Sequence, residues 1–114
     1  MSNCVFCRII KKEISSKIVY EDEDCVAFED VNPQAPVHVL IIPRLHTPSV
    51  SELAHEDVGL IGRLVKTCVR IADMKGIGRT GYRIVTNTGD HGGQTVFHLH
   101  WHVLGGRPMT WPPG

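Results

Sequence analysis

The sequence predicts an α+β fold: an antiparallel sheet covered on one face by a single long helix, with a short helix at the amino terminus. Three observations predict it. Val37-His38-Val39-Leu40-Ile41-Ile42 is β-branched and apolar, as a central strand requires. Val58, Ile61, Leu64, Val65, Cys68, Ile71 and Ala72 recur at helical spacing and form one apolar stripe ending near Gly76. From His98 to Val103 histidine and apolar residues alternate, the two-residue period of a half-buried strand. Strands, one long helix and then strands again give a sheet with that helix packed on it.

The elements follow in chain order. Residues 4–12 suit a short helix with Phe6, Ile9 and Ile10 as its apolar stripe. Residues 17–22 and 25–30 read as strands around a turn at Glu23-Asp24. The apolar run to Ile42 is the central strand, and the long helix follows it. Residues 81–86 and 96–104 are the last strands, joined as an antiparallel hairpin by the glycine-rich segment Gly89-Asp90-His91-Gly92-Gly93.

Composition narrows the function. With 114 residues the chain is read as one domain, 1–114. Twelve basic and twelve acidic residues cancel and are mixed along the chain, so no nucleic-acid or anionic-membrane surface is expected. No apolar run approaches the roughly 20 residues of a membrane span. The amino terminus lacks a basic and apolar leader, so no signal peptide and a cytoplasmic location are expected. Disulfides are then not expected among Cys4, Cys7, Cys25 and Cys68. Cys25 and Cys68 fall within apolar patterns and read as small buried hydrophobes.

The chemistry concentrates in His98-Leu99-His100-Trp101-His102. On an extended backbone these imidazoles would share one face, roughly 6.5–7 Å apart, while Leu99, Trp101 and Val103 point into a core. The spacing alone leaves three readings open: a polar strand face, a metal site, or nucleophilic catalysis by one imidazole that its neighbours orient. Gly92-Gly93-Gln94-Thr95 leads into this segment, and turn amides of that kind can bind an anion. Gln94 and Thr95 add neutral donors. His38 lies within an apolar strand, and Asp30 ends another.

The segment His98 to Leu104 resembles the signature of the histidine triad (HIT) superfamily of nucleotidyl hydrolases and transferases. The resemblance extends to Asp30-Val31-Asn32-Pro33-Gln34-Ala35-Pro36-Val37-His38, to Ile42-Pro43, to Asn87 and to Gly92-Gly93-Gln94-Thr95-Val96. It also includes the ending Gly105-Gly106-Arg107-Pro108-Met109-Thr110-Trp111-Pro112-Pro113-Gly114. Over nearly the whole chain the match is to the histidine triad nucleotide-binding, or purine nucleoside phosphoramidase, branch.

That resemblance implies the following. His100 is the nucleophile. It attacks phosphorus as a neutral base, with one ring nitrogen donating to a backbone carbonyl. Nucleotidyl-histidine forms and water hydrolyses it, with net retention at phosphorus. His102, protonated, neutralises phosphoryl oxygens or helps the leaving group depart. His38 is a partner of the first triad histidine, His98. Asp30 accepts the ribose hydroxyls, and Phe28, Val31 and Ile10 sandwich the base. Gly93, Gln94 and Thr95 serve the phosphate and leaving group, and Asn87 belongs to the nucleotide-binding set. Thr95 stands where Ser is more usual. Expected substrates are AMP and GMP derivatives: nucleoside 5′-phosphoramidates, aminoacyl-adenylates or adenylylated lysine, with purine preference rather than strict adenine specificity.

No cofactor is implied for catalysis. Cys4-x-x-Cys7 has metal spacing, but a structural zinc site needs four ligands. Prokaryotic-type relatives imply that His46 and His98 complete it, making His98 a structural ligand. The resemblance further implies a homodimer in which long helices and sheet edges meet and the tail 105–114 reaches the partner's site. Pro108 and Thr110 depart from the commonest residues there. Three alternatives remain at this point: a dinucleoside polyphosphate hydrolase, a nucleotide-binding scaffold with incidental hydrolysis, and a metal hydrolase using the histidines as catalytic ligands.

Overall fold

A computed structural model describes residues 3–114 of the chain. A short helix α1 (Val5–Ile10) precedes strands β1 (Ile18–Glu21), β2 (Cys25–Glu29) and β3 (Val37–Pro43). Helices α2 (Val50–Glu56) and α3 (Val58–Met74) follow, then β4 (Tyr82–Thr86) and β5 (Trp101–Gly105). The five strands form one antiparallel sheet in the order β1-β2-β3-β5-β4. The α+β expectation holds, and β4 and β5 are antiparallel neighbours as the hairpin reading required.

Strand alternation divides the interior into two clusters. Cys25, Ala27, Val39, Ile41, Trp101 and Val103 face α3, where they meet Leu60, Leu64, Cys68, Ile71 and Ala72. Val26, Phe28, Leu40 and Ile42 face the other way, where Phe6 and Ile9 of α1 cover them. The sequence predicts cover on one face, whereas the middle of this sheet is buried on both. That explains why β2 and β3 read as continuous apolar runs. It also makes the second face a place where α1 and the sheet can enclose a ligand.

The long helix starts where Asp57 caps it, its Oδ1 accepting from the Leu60 amide at 3.1 Å. It stops where Ile77 N–H reaches back to the Ala72 carbonyl at 3.0 Å and Gly76 takes φ +74°. The buried stripe is narrower than the apolar pattern. Val58 and Val65 lie on the exposed side. Leu64 is fully buried at the centre of the first cluster. Leu64→Ala is expected to cost about 2–5 kcal/mol, read as a lower denaturant midpoint at unchanged slope.

Two boundaries differ from expectation. Helix α2 lies where the sequence reading has no element. Its signal is Ser49-Val50-Ser51-Glu52, a capping-box spacing in which the Ser49 hydroxyl binds the Glu52 carboxylate, followed by fully buried Leu53. The last strand begins at Trp101, not near residue 96. Residues 96–100 leave the ladder because Leu99 N–H donates to the Thr47 carbonyl at 2.7 Å and the His98 ring is bound elsewhere.

Candidate active site

The register of β3 against β5 builds the first half of the site. Leu40 pairs with His102 and His38 with Leu104, so His38 and His102 are diagonal neighbours on one face. Their rings meet with His38 Nε2 2.9 Å from His102 Nδ1. The expected pairing of His38 with His98 is therefore not made. His98 lies ahead of the strand and turns to another cluster.

Hydrogen-bond partners fix the tautomers. The Gln34 amide donates to His38 Nδ1 at 3.0 Å, so the neutral His38 ring carries its proton on Nε2. That proton lies between His102 Nδ1 and Asp30 Oδ2, the latter at 3.3 Å. His102 then accepts at Nδ1 and holds its own proton on Nε2, as a donor. His100 is the opposite case. Its Nδ1 is 2.8 Å from the His98 carbonyl, which can only accept. The proton sits there and Nε2 keeps its lone pair. A lone pair on one ring and an N–H on the next are the poise for attack on phosphorus with support at a phosphoryl oxygen.

Burial keeps these rings neutral. It pushes His100 and His38 below the usual imidazole value against the opposing pull of the Asp30 carboxylate. His102 is pushed down to about 4, by burial first and then by the neighbouring His100 and His38 rings. Folded His102 is thus uncharged near neutrality, rather than the imidazolium the sequence reading expects. Linkage gives the sign. The unfolded chain takes up protons near pH 6.5, while folded His102 does so only near 4. Stability from these neutral rings is present above pH 6.5 and declines as the pH falls towards 4. Denaturant unfolding at stepped pH should show this decline, and it should be shallower in His102→Gln.

His100 and His102 open onto a cavity of about 370 Å³ between α1 and the sheet. Phe6, Ile9, Phe28, Leu40 and Val96 give it an apolar wall, with Asp30, Val31 and Thr95 also lining it. Phe6 stands edge-on to both Phe28 and His100, at centroid distances of 5.6 and 5.1 Å. The expected Phe28, Val31, Asp30 and Thr95 are all present at this cavity. Ile10 is not among the lining residues. The helix turns Phe6 and Ile9 inward, and Ile9, three residues on from Phe6, takes the place given to Ile10.

Gln94 is also used differently. Its amide donates to the Pro48 and Val96 carbonyls at 2.6 and 3.1 Å and accepts from the Gly89 amide at 2.9 Å. Both side-chain N–H groups are committed to closing the loop, so they are not spare donors for phosphate. Gly92 is required in that loop, since a Cβ there would lie 2.3 Å from the Thr88 carbonyl oxygen. Asn87 and Gly93 do not line the cavity. The Gln34 amide, which sets the His38 tautomer, carries no sequence signal beyond its place in the loop before His38.

A second cluster lies behind α1. Cys4 and Cys7, on the first turn, converge with His46 and His98 so that all four ligand atoms lie within 4.8 Å of one another. The His98 Nδ1 stands 3.4 Å from Cys4 Sγ, 3.6 Å from Cys7 Sγ and 3.1 Å from His46 Nδ1. Cys7 Sγ is 3.3 Å from His46 Nδ1. Tetrahedral zinc with bonds of about 2.0–2.3 Å needs ligand separations of about 3.3–3.8 Å. His98 Nε2 donates to the Pro43 carbonyl at 2.8 Å, which leaves Nδ1 as the lone-pair nitrogen. The donor set fits zinc. Asp30, His38 and His102 also converge, but the Gln34 amide on His38 Nδ1 leaves a proton, not a lone pair, on its inward nitrogen.

A protein-family model described as the HIT domain matches residues 11–109. An uncharacterized HIT-like protein of Synechocystis is 54% identical over 110 residues, covering 96% of each chain. The purine nucleoside phosphoramidase of Escherichia coli is 47% identical over 105 residues, 92% of this chain and 88% of that one. Among solved structures, a HIT family hydrolase from Legionella pneumophila has a TM-score of 0.95 at 44% identity and covers 98% of this chain and 100% of its own. A HIT family hydrolase from Clostridium thermocellum has a TM-score of 0.92 at 49% identity, covering 96% of each chain. With the family match spanning most of the residues and the histidines meeting as described, the chain belongs to the HIT domain family.

Proposed function

We propose that the chain is a purine nucleoside phosphoramidase, hydrolysing the P–N bond of nucleoside 5′-phosphoramidates and related AMP and GMP derivatives. The observation that carries this reading is the His100 tautomer: Nδ1–H on the His98 carbonyl, Nε2 bare, in a cavity the size of a mononucleotide. His100 Nε2 attacks phosphorus and the P–N bond breaks, leaving nucleotidyl-His100 as an imidazolium whose Nδ1–H stays on that carbonyl. Water then attacks phosphorus, and His100 leaves as the neutral ring. The departing amine takes its proton from solvent water in the first step, and the attacking water returns a proton to solvent in the second. His102 Nε2–H donates to a phosphoryl oxygen in both steps.

Phe6, Ile9, Phe28 and Val31 hold the base through apolar contact, which suits either purine. Asp30 has its Oδ1 on the Asn32 amide at 2.8 Å and Oδ2 beside His38, and accepts the ribose hydroxyls at the mouth. Cys4, Cys7, His46 and His98 would hold a structural zinc ion, which supplies a cross-link between α1 and the sheet. Four protein ligands leave that position closed to substrate. Thiol ligands of this kind suit a reducing compartment such as the cytoplasm.

A homodimer accounts for the outward surface. Val58, Val65 and Val69 of α3 are exposed, β4 is a sheet edge, and Trp111 in the tail is 82% exposed. Deleting Trp111 to Gly114 is expected to change the ranking of leaving groups more than the melting temperature. Unchanged kinetics across several leaving groups would count against a tail that reaches the partner's site.

The test of the activity is hydrolysis of adenosine 5′-phosphoramidate after exhaustive chelation. Turnover supports the metal-free nucleophile. Activity that vanishes and returns only with added zinc would favour a metal hydrolase, and tight AMP binding without turnover would favour a binding protein.

A further inference from the structure

The tautomer of His102 is set at a distance. Its Nδ1 accepts from His38, and His38 is held by the Gln34 amide at 3.0 Å. Gln34 lies in the turn Pro33-Gln34-Ala35-Pro36, outside the regular strands. That amide precedes β3 by three residues, so the ladder of the strand does not hold it, and the His38 ring is its partner. Its other peptide is fixed from the far end of the chain. Arg107 Nη2 donates to the Gln34 carbonyl at 2.9 Å, while Nη1 donates to the Pro108 carbonyl at 2.9 Å.

The tail is pressed onto the same turn. Gly106 has φ +88°, and a Cβ on it would come within 2.9 Å of the Pro36 ring. Only glycine lets the chain leave β5 in this direction and pass so close. Arg107 is thereby delivered to Gln34. The Gln34 residue is then gripped on both sides, its carbonyl by the guanidinium and its N–H by the imidazole. Its side chain adds a bond to the Asn32 carbonyl at 3.0 Å.

We propose that Arg107, which touches no triad histidine, is a positioning residue for the triad: by holding the Gln34 carbonyl it keeps the Gln34 N–H on His38 Nδ1 and so keeps the Nε2–H of His102 turned towards the phosphate. Without that grip the turn can swing the amide away. His38 then loses the donor at Nδ1, keeps only the Asp30 carboxylate 3.3 Å from Nε2 to favour a proton there, and can carry its proton on Nδ1 as well. Its Nε2 becomes an acceptor, His102 answers by moving its proton to Nδ1, and a lone pair faces the phosphoryl oxygen. Two acceptors then meet, and the support at phosphorus is lost. This inference rests on the reading of His102 as the phosphoryl donor.

The experiment uses the full, zinc-loaded chain with nitrogen-15 in its imidazoles. Long-range proton–nitrogen spectra give the tautomer of each ring without substrate. Wild type should show His38 and His102 with the proton on Nε2. Arg107→Ala should give His102 as a mixture of tautomers and lower kcat about tenfold, by analogy with the loss of an outer partner of a metal-ligating histidine, with KM changed much less. Arg107→Lys, which can still donate to one carbonyl, should recover most of both. Arg83→Ala is the control. Arg83 ties down the tail through the Thr110 carbonyl at 2.8 Å, so it loosens the tail without touching Gln34 and should leave both tautomers as in wild type. A single Nε2–H tautomer on His102 in Arg107→Ala would overturn the proposal. So would an equal tautomer shift in Arg83→Ala. Because the spectra need no turnover, a chain inactive on phosphoramidates but with the expected shift would contradict the substrate reading and not the clamp.

Discussion

His100→Ala should lower kcat on adenosine 5′-phosphoramidate by about 10⁴-fold or more, the scale seen when a covalent nucleophile is removed, while AMP still binds. Nε2 of this ring is the lone pair that bonds to phosphorus, and no neighbour replaces it. His102 turns an N–H to the cavity, and His98 turns its lone pair to Cys4, Cys7 and His46. Binding persists because the base wall of Phe6, Ile9 and Phe28 and the Asp30 carboxylate are untouched. Truncation does leave space beside Phe6, which packs edge-on against the His100 ring. A melt should therefore accompany the kinetics, to show that the variant remains folded at the assay temperature. Loss of AMP binding in step with turnover would mean that His100 serves the pocket rather than the chemistry.

The second large effect concerns stability. Zinc at Cys4, Cys7, His46 and His98 would tie α1 to the segments after β3 and before β5. Any ligand present at a hundred times its dissociation constant adds about 2.7 kcal/mol to folding. At about 4 °C per kcal/mol for a domain of this size, chelation or Cys7→Ser should lower the melting midpoint by about 10 °C. Metal analysis should find one zinc per chain in wild type and none in Cys7→Ser. Turnover per folded molecule should change little, because the ion has no open position for substrate. An unchanged midpoint on chelation, with zinc shown to be lost, would remove the structural role.

Much of this was legible in the sequence, and the reasons differ by element. The continuous apolar runs of β2 and β3 and the long stripe of α3 are set by burial, so pattern alone places them. Which histidine does what was not legible from spacing. Even spacing implies three equivalent imidazoles, yet His98 is drawn out of the sheet by the Pro43 carbonyl and the Thr47–Leu99 bond. Its backbone carbonyl is thereby left to hold His100, where a strand carbonyl would have been spent on the ladder. Thr86 Oγ1 donates to the His100 carbonyl at 2.8 Å, a side chain standing in where the pairing ends. The pairing of His38 with His102 depends on register, a long-range property that one strand's sequence does not carry. Ile9 and Ile10 are adjacent on a six-residue helix, and which of them faces the cavity depends on how that helix is docked. The chemistry of Gln94 alone suggests a phosphate donor. Its loop partners, Pro48 among them, lie far away in sequence.

The most direct test of the account is to stop the reaction during turnover and locate the phosphorus. Wild-type enzyme is quenched in alkali, in which a phosphorus–nitrogen bond to histidine survives, then digested and mapped by mass spectrometry. One nucleotidyl group is expected, on His100 Nε2, together with retained configuration at a chiral phosphorus. A nucleotidyl group on any other residue, or turnover with inversion and no adduct, would contradict it.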